Sequence, residues 1–220
     1  MAQNEFTNDE NFEFDVKKGR VTLTDYTGED TEVWIPDIVN EIGDDAFLGC
    51  SAEVINIPES VEKIGSDAFS DCAKLQSAVI PDSVTEIGEC CFSGCECLES
   101  VELPEGILTI PEDAFYGCGN LKNIVLPDSL KEIGERAFAD CEALEDVDLS
   151  GTELLTVGDE AFSGCTELKS VCLPDCIKEL GDGSQDCDVF DGCEKVSVEY
   201  DGNTYRYGQL KSLYIRVNCR

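Results

Sequence analysis

The chain has 220 residues, 42% of them apolar, which is enough for a continuous core. Its 48 acidic and 15 basic side chains give a formal net charge of −33, which repels nucleic-acid phosphates and anionic lipid surfaces, so neither nucleic acid nor membrane is an expected partner. There is no histidine, which removes the commonest general base and the usual partner of a nucleophilic cysteine.

From Met1 to Phe14 the sequence is polar and acidic, without the basic start and apolar run of a secretory leader. No segment reaches the roughly 20 apolar residues that span a bilayer. As written, the sequence points to the cytoplasm; removal of a leader would move it to the secreted or cell-surface class. Residues 12–16 (FEFDV) and 20–26 (RVTLTDY), joined by Lys17, Lys18 and Gly19, predict a β-hairpin that covers the first coil of a repeating region. We bound this N-terminal cap at residues 1–25.

Residues 26–195 repeat with a period of about 23, the signature of a solenoid whose coils must stack to bury an apolar face. One phrase, I-G-x-x-A-F-x-x-C, reads IGDDAFLGC from Ile42 and IGSDAFSDC from Ile64, with Ile87, Ile110, Ile133, Val157 and Leu180 leading later copies. A second, L-x-x-V-x-L-P-x-S-V, includes LQSAVIPDSV from Leu75 and LKNIVLPDSL from Leu121. Its alternating apolar pairs predict half-buried strands that end at proline. The glycine after a second short extended piece predicts a sharp bend. The next residues, through Ala-Phe to Cys, predict one turn of α- or 3₁₀-helix with the Phe inside the coil. Asp44, Asp67, Glu89, Asp113, Glu135 and Asp159 then fall at helix N-termini.

Three coils depart from the pattern. Pro111 replaces the bend glycine in the fourth, and Ser150 replaces the proline in the sixth, where Cys141 to Cys165 is 24 residues. The seventh inserts residues 181–188 (GDGSQDCD), a disturbed last coil or a contact loop. Beyond residue 195, VSVEY (196–200) and TYRY (204–207) around Asp201 and Gly202 predict a second hairpin cap, within residues 196–220.

The 14 cysteines divide by spacing. Cys50, Cys72, Cys95, Cys118, Cys141, Cys165 and Cys193 hold one repeat position and predict a column of buried thiols about 4.8 Å apart, acting as small hydrophobes. Cys90, Cys91, Cys97, Cys172, Cys176, Cys187 and Cys219 are scattered, and this number of free thiols suits a reducing compartment. No C-x-x-C pair and no EF-hand-like alternation of carboxylates occurs, so neither a metal nor a cofactor is expected. Paired carboxylates such as Asp44 with Asp45 recur at a capping position, which gives them a structural role, and no catalytic residue is assigned.

The combined phrase L-x-x-V-x-L-P-x-S-V-x-x-I-G-x-x-A-F-x-x-C resembles the BspA-like, or Treponema pallidum-type, leucine-rich repeat over about residues 26–195, and VEYDGNTY from Val198 resembles a lid found with it. The resemblance implies a curved right-handed leucine-rich-repeat solenoid of about seven coils with parallel β-ladders. It also implies protein or glycan binding, often in surface or secreted proteins of bacteria, and not catalysis.

On each strand the residue between the two buried ones points outward. Stacking makes one candidate partner-binding column of Trp34, Asn56, Val79, Glu102, Val125, Asp148 and Cys172, a strip roughly 35 Å long. A neighbouring column holds Glu32, Val54, Ser77, Ser100, Asn123, Asp146 and Ser170. Trp34, the sole tryptophan, either anchors a partner or packs under the N-terminal hairpin against Phe12 or Phe14. The leading reading is a monomeric, non-enzymatic module that binds another protein of basic or mixed surface. The alternatives are an acidic decoy for a nucleic-acid-binding protein and a fragment of a surface adhesin.

Overall fold

Each repeat folds into one coil made of a three-residue strand, a two-residue strand and a chain of tight turns. The computed structural model describes residues 10–181 and 188–218. After the hairpin of β1 (Phe12–Lys17) and β2 (Arg20–Tyr26), the first two coils carry β3 (Glu32–Trp34), β4 (Glu41–Ile42), β5 (Val54–Asn56) and β6 (Lys63–Ile64). The pattern continues through β7 (Ser77–Val79), β8 (Glu86–Ile87), β9 (Ser100–Glu102), β10 (Thr109–Ile110), β11 (Asn123–Val125) and β12 (Glu132–Ile133). It ends with β13 (Asp146–Asp148), β14 (Thr156–Val157), β15 (Ser170–Cys172) and β16 (Glu179–Leu180). A hairpin of β17 (Ser197–Tyr200) and β18 (Asn203–Arg206) and a helix, α1 (Leu210–Asn218), close the chain.

The three-residue strands pair in parallel from coil to coil and form a wide ladder; the two-residue strands form a narrow one. On the wide ladder the middle residue points inward, so that Val33, Ile55, Ala78, Val101, Val147 and Val171 are buried. Each ladder is interrupted once. The narrow one breaks between β8 and β10, beside Pro111, which has no N–H to give. The wide one breaks between β11 and β13, at the entry to the 24-residue coil, and there Ile124 is only half-buried.

The Ala-Phe phrase is not helical, which corrects the expectation of an α- or 3₁₀-turn. Alternate amides bond in different directions. Ala46, Leu48 and Cys50 donate to carbonyls three residues back, whereas Asp45, Phe47 and Gly49 donate to Ser66, Ala68 and Ser70 of the next coil. A helix would spend every amide within its own segment; here half of them build a third inter-coil ladder. The alternation turns the backbone left-handed at Asp45, Asp67, Cys90, Asp113, Arg136 and Glu160. Asp44, Asp67, Glu89, Asp113, Glu135 and Asp159 therefore cap no helices.

The repeat glycine also has another cause than the bend expected of it. A Cβ added at Gly88 would lie 2.3 Å from the Ser66 nitrogen of the preceding coil, and at Gly158 2.5 Å from that of Glu135. Close passage of neighbouring backbones excludes a side chain there.

Inside, Phe47, Phe69, Phe92, Phe115, Phe138, Phe162 and Phe190 stack in one spine, with ring centroids 5.1–5.7 Å apart. Tyr26 and Phe12 extend it into the N-terminal hairpin at 5.2 and 5.0 Å. Burying each ring stabilises the fold by about 1.5–3 kcal/mol, and each ring pair adds about 0.5–1.5 kcal/mol. The cysteine column runs beside the spine. The thiols of Cys72, Cys95, Cys118, Cys141, Cys165 and Cys193 each donate to the Phe carbonyl of the preceding coil, at 3.0–3.2 Å. Cys91, expected among the scattered cysteines, is also buried, because it takes the Ala position of its coil.

The two ends are closed differently. The hairpin β1–β2 pairs with β4 and so covers the narrow ladder. At the far end the hairpin β17–β18 continues the wide ladder, and α1 packs against β16 of the narrow one. Both hairpins turn through two residues of positive φ, Lys18–Gly19 and Asp201–Gly202. The helix was not expected from the sequence. The inserted stretch of the seventh coil falls largely on residues 182–187, outside the described residues.

Candidate interaction surface

The wide ladder brings the two predicted columns together on one face. In the first column Trp34, Val79 and Val125 stand 68%, 70% and 57% exposed, with Glu102 and Asp148 also exposed. Asn56 and Cys172 are only half-buried. The Asn56 side-chain amide bends back to donate to the Val33 carbonyl at 3.2 Å and to Glu32 Oε1 at 3.3 Å. In the second column Glu32, Ser77, Ser100, Asn123 and Asp146 are exposed, and Val54 and Ser170 are half-buried. Trp34 does not pack under the hairpin: Phe12 and Phe14 stack on each other and, through Phe12, on Tyr26 instead.

Between Val79 and Val125 the face dips into a shallow groove of about 340 Å³, floored by Leu103 and Leu126 and rimmed by Glu59, Asp82, Glu102 and Glu105. Of these only Glu102 was assigned from the sequence. The signal for the others was present, because Glu59, Asp82 and Glu105 each come directly after the proline that ends a wide-ladder strand. Near the break in the ladder, the Ser150 N–H and side chain hold the Asp148 carboxyl below its ordinary range. At the C-terminal end, burial raises the Cys172 thiol beside Glu199, which makes it a poorer nucleophile.

The turn ladder forms a second, strongly anionic face. Burial, together with the charges of Asp45, Asp44 and Asp71, raises the Asp67 carboxyl above its ordinary range. Further along the same face Arg136 pairs with Asp113 at 2.6 Å and Glu112 at 3.1 Å. Other cations bridge adjacent coils in the same manner, as Lys63 does to Glu86 and Lys195 to Glu167. Exposed pairs of this kind contribute about 0–1 kcal/mol each. Among the described residues no three His, Cys, Asp or Glu side chains lie together as metal ligands, and no helix is long and apolar enough to cross a membrane.

A parallel-ladder solenoid with an open strand face defines the class as a leucine-rich-repeat scaffold. The chain belongs to the BspA-type leucine-rich-repeat family, whose repeat region it matches in six copies over residues 25–145 and 95–208. It is similar to the leucine-rich repeat protein of T. pallidum, at 30% identity over 89% of this chain and 81% of that one, with a TM-score of 0.65. A leucine-rich repeat protein of Eubacterium ventriosum is 26% identical over 84% of this chain, with a TM-score of 0.70; there the match spans 50% of that longer chain. Among curated proteins, none matches this one. The family suggests a protein-interaction module.

Proposed function

We propose that this protein is a non-catalytic scaffold that recognises another protein on the outward face of its wide ladder, as a monomer. The observation that supports it most is the alignment of Trp34, Val79 and Val125, each more than half exposed, on alternate rungs with Asn56 and Glu102 between them. Large apolar side chains held on a rigid sheet lose little entropy on docking, and aromatic anchors commonly carry interface energy. The acidic rim of the groove and the charge of −33 select a partner whose surface is basic or mixed. Asn56, Glu102, Asp148 and, from the neighbouring column, Glu32, Ser77, Ser100, Asn123 and Asp146 supply the polar contacts in this reading, with Val54 adding apolar area.

The thiol column bears on location. Each of its inner thiols serves as a hydrogen-bond donor to a carbonyl of the neighbouring coil, a role that a disulfide cannot fill. We therefore assign the protein to a reducing compartment. A second reading, an acidic decoy for a nucleic-acid-binding protein, draws on the turn face, where burial and the neighbouring carboxylates raise Asp67.

Affinity for a captured partner, measured at low and high salt, separates the two. Ladder recognition predicts a large loss with Val79→Ser and Val125→Ser together, and modest salt dependence. A decoy predicts little loss from those changes, a steep decline with salt, and a loss with Asp44→Asn and Asp45→Asn together.

A further inference from the structure

The asymmetry of the two caps leaves one backbone edge open. At the C-terminal end both ladders continue into something: β17 pairs with β15, and α1 meets β16. At the N-terminal end the hairpin pairs only with the narrow ladder, and β3 stands as the terminal strand of its sheet. Its odd residues face β5: Val54 donates to the Thr31 carbonyl at 3.1 Å, and Ile35 donates to that of Asn56 at 3.1 Å. Backbone groups alternate in direction along a strand, so the N–H and C=O of Glu32 and Trp34 point the other way. Among the described residues those groups have no backbone partner. Within β3 there is no proline, lysine or bulge to blunt the edge, and Pro36 ends it two residues beyond Trp34, which confines an added strand to Glu32 and Trp34.

We propose that the outer edge of β3 is a strand-addition site that takes an extended, cationic segment of a partner protein. The added strand accepts from and donates to Glu32 and Trp34. Its outward side chains then lie beside the Glu32 carboxylate and over the exposed Trp34 indole, positions that suit Arg or Lys through charge pairing and cation–π contact. Asp30 and Asp37 flank the strand and add to the local negative charge. A second copy of this chain is disfavoured as the occupant because both copies carry −33 charges. The proposal goes beyond the face-binding reading, since it depends on main-chain groups at one end of the ladder and not on Val79 or Val125.

The test uses the intact protein and the peptide acetyl-Arg-Val-Arg-Val-Arg-amide, compared with an analogue N-methylated on alternate amides of the pairing edge. Trp34 is the sole tryptophan and reports binding by its emission; hydrogen exchange reports the Glu32 and Trp34 amides. We expect the parent peptide to bind and to slow exchange at both amides, and the methylated analogue to bind at least about tenfold more weakly, the loss of one to two hydrogen bonds. Glu32→Pro, which removes one outward N–H at a strand edge that tolerates proline, should weaken binding as much, whereas Glu32→Gln should lose less. Val79→Ser with Val125→Ser should leave peptide binding unchanged, so failure of face binding and failure of edge pairing are separable. Equal binding of the methylated analogue, no binding of the parent, or amides at Glu32 and Trp34 already protected in the free protein would each overturn the proposal.

Discussion

The side-chain amide of Asn218, at the end of α1, closes the last rung of the narrow ladder: its Nδ2 donates to the Leu180 carbonyl at 2.9 Å, and its Oδ1 accepts the Leu180 N–H at 2.8 Å. One side chain thus stands in for the strand of a further coil. The Leu180 side chain is fully buried, so this closure lies at the edge of the core. Asn218→Ala removes both of these hydrogen bonds, so we expect a loss of about 1–3 kcal/mol in urea unfolding, with Asn218→Asp recovering at most part of it. An unchanged midpoint for Asn218→Ala would mean that the helix caps by packing alone.

Phe115 sits mid-spine, stacked 5.5 Å from Phe92 and 5.3 Å from Phe138 with nearly parallel rings. Its truncation removes contacts on both sides and opens a cavity that rigid neighbouring coils cannot close. Phe115→Ala should cost about 3–5 kcal/mol, and Phe115→Leu much less, by denaturant titration.

Gly88 and Gly119 separate the two uses of glycine in this chain. A methyl at Gly88 collides with the backbone of Ser66 and Gly65, whereas a methyl at Gly119 meets nothing within 4 Å. Gly88→Ala should therefore destabilise by about 1–3 kcal/mol, as overpacking does. Gly119→Ala should be neutral or stabilising by up to about 1 kcal/mol, because it restricts the unfolded chain. Paired thermal melts decide this; equal effects at the two sites would refute the close-approach account.

The buried thiols set an alkaline limit. Burial pushes the thiols of Cys91, Cys95, Cys118 and Cys141 well above their ordinary value of 9.0. The folded chain keeps those protons at a pH where the unfolded chain has released them. Stability is thus fully present below 9.0 and declines above it, by about 1.4 kcal/mol per pH unit for each thiol. Urea unfolding at pH 8 and pH 10 should show a steep drop that becomes shallower when Cys118 and Cys141 are both replaced by Ala. The same slope in wild type and variant would assign the drop to other groups.

Much of this architecture could be read in the residues, because a 23-residue period ties Phe115, Cys118 and Val101 to fixed places in a coil whatever the details between them. The hairpins were legible for the same local reason, an Asp-Gly or Lys-Gly turn between alternating strands. What misled was the stretch from Asp44 to Cys50. Its residues suit a helix start, and only the neighbouring coil, absent from any local window, claims the amides of Asp45, Phe47 and Gly49. The repeat glycine misleads for a related reason: at Gly43 the constraint is the Leu23 carbonyl of the hairpin, and at Gly88 it is Ser66 of another coil. The capping helix escaped notice because its apolar residues Leu210, Leu213, Tyr214 and Val217 form one short buried stripe outside the repeat. On the surface, alternation alone placed Trp34, Val79 and Val125 outward, whereas Asn56 folding back onto Val33 depends on a contact between coils.

The central claim is that the wide-ladder face, and not another exposed apolar spot, meets the partner. Site-specific photo-crosslinking tests it directly, with a benzophenone amino acid placed in turn at Val79, Val125, Leu48 and Leu108, all exposed in the free protein. The account predicts cross-links to one partner from positions 79 and 125 and none from 48 or 108. Capture from 48 or 108 with silence at 79 and 125 would contradict it.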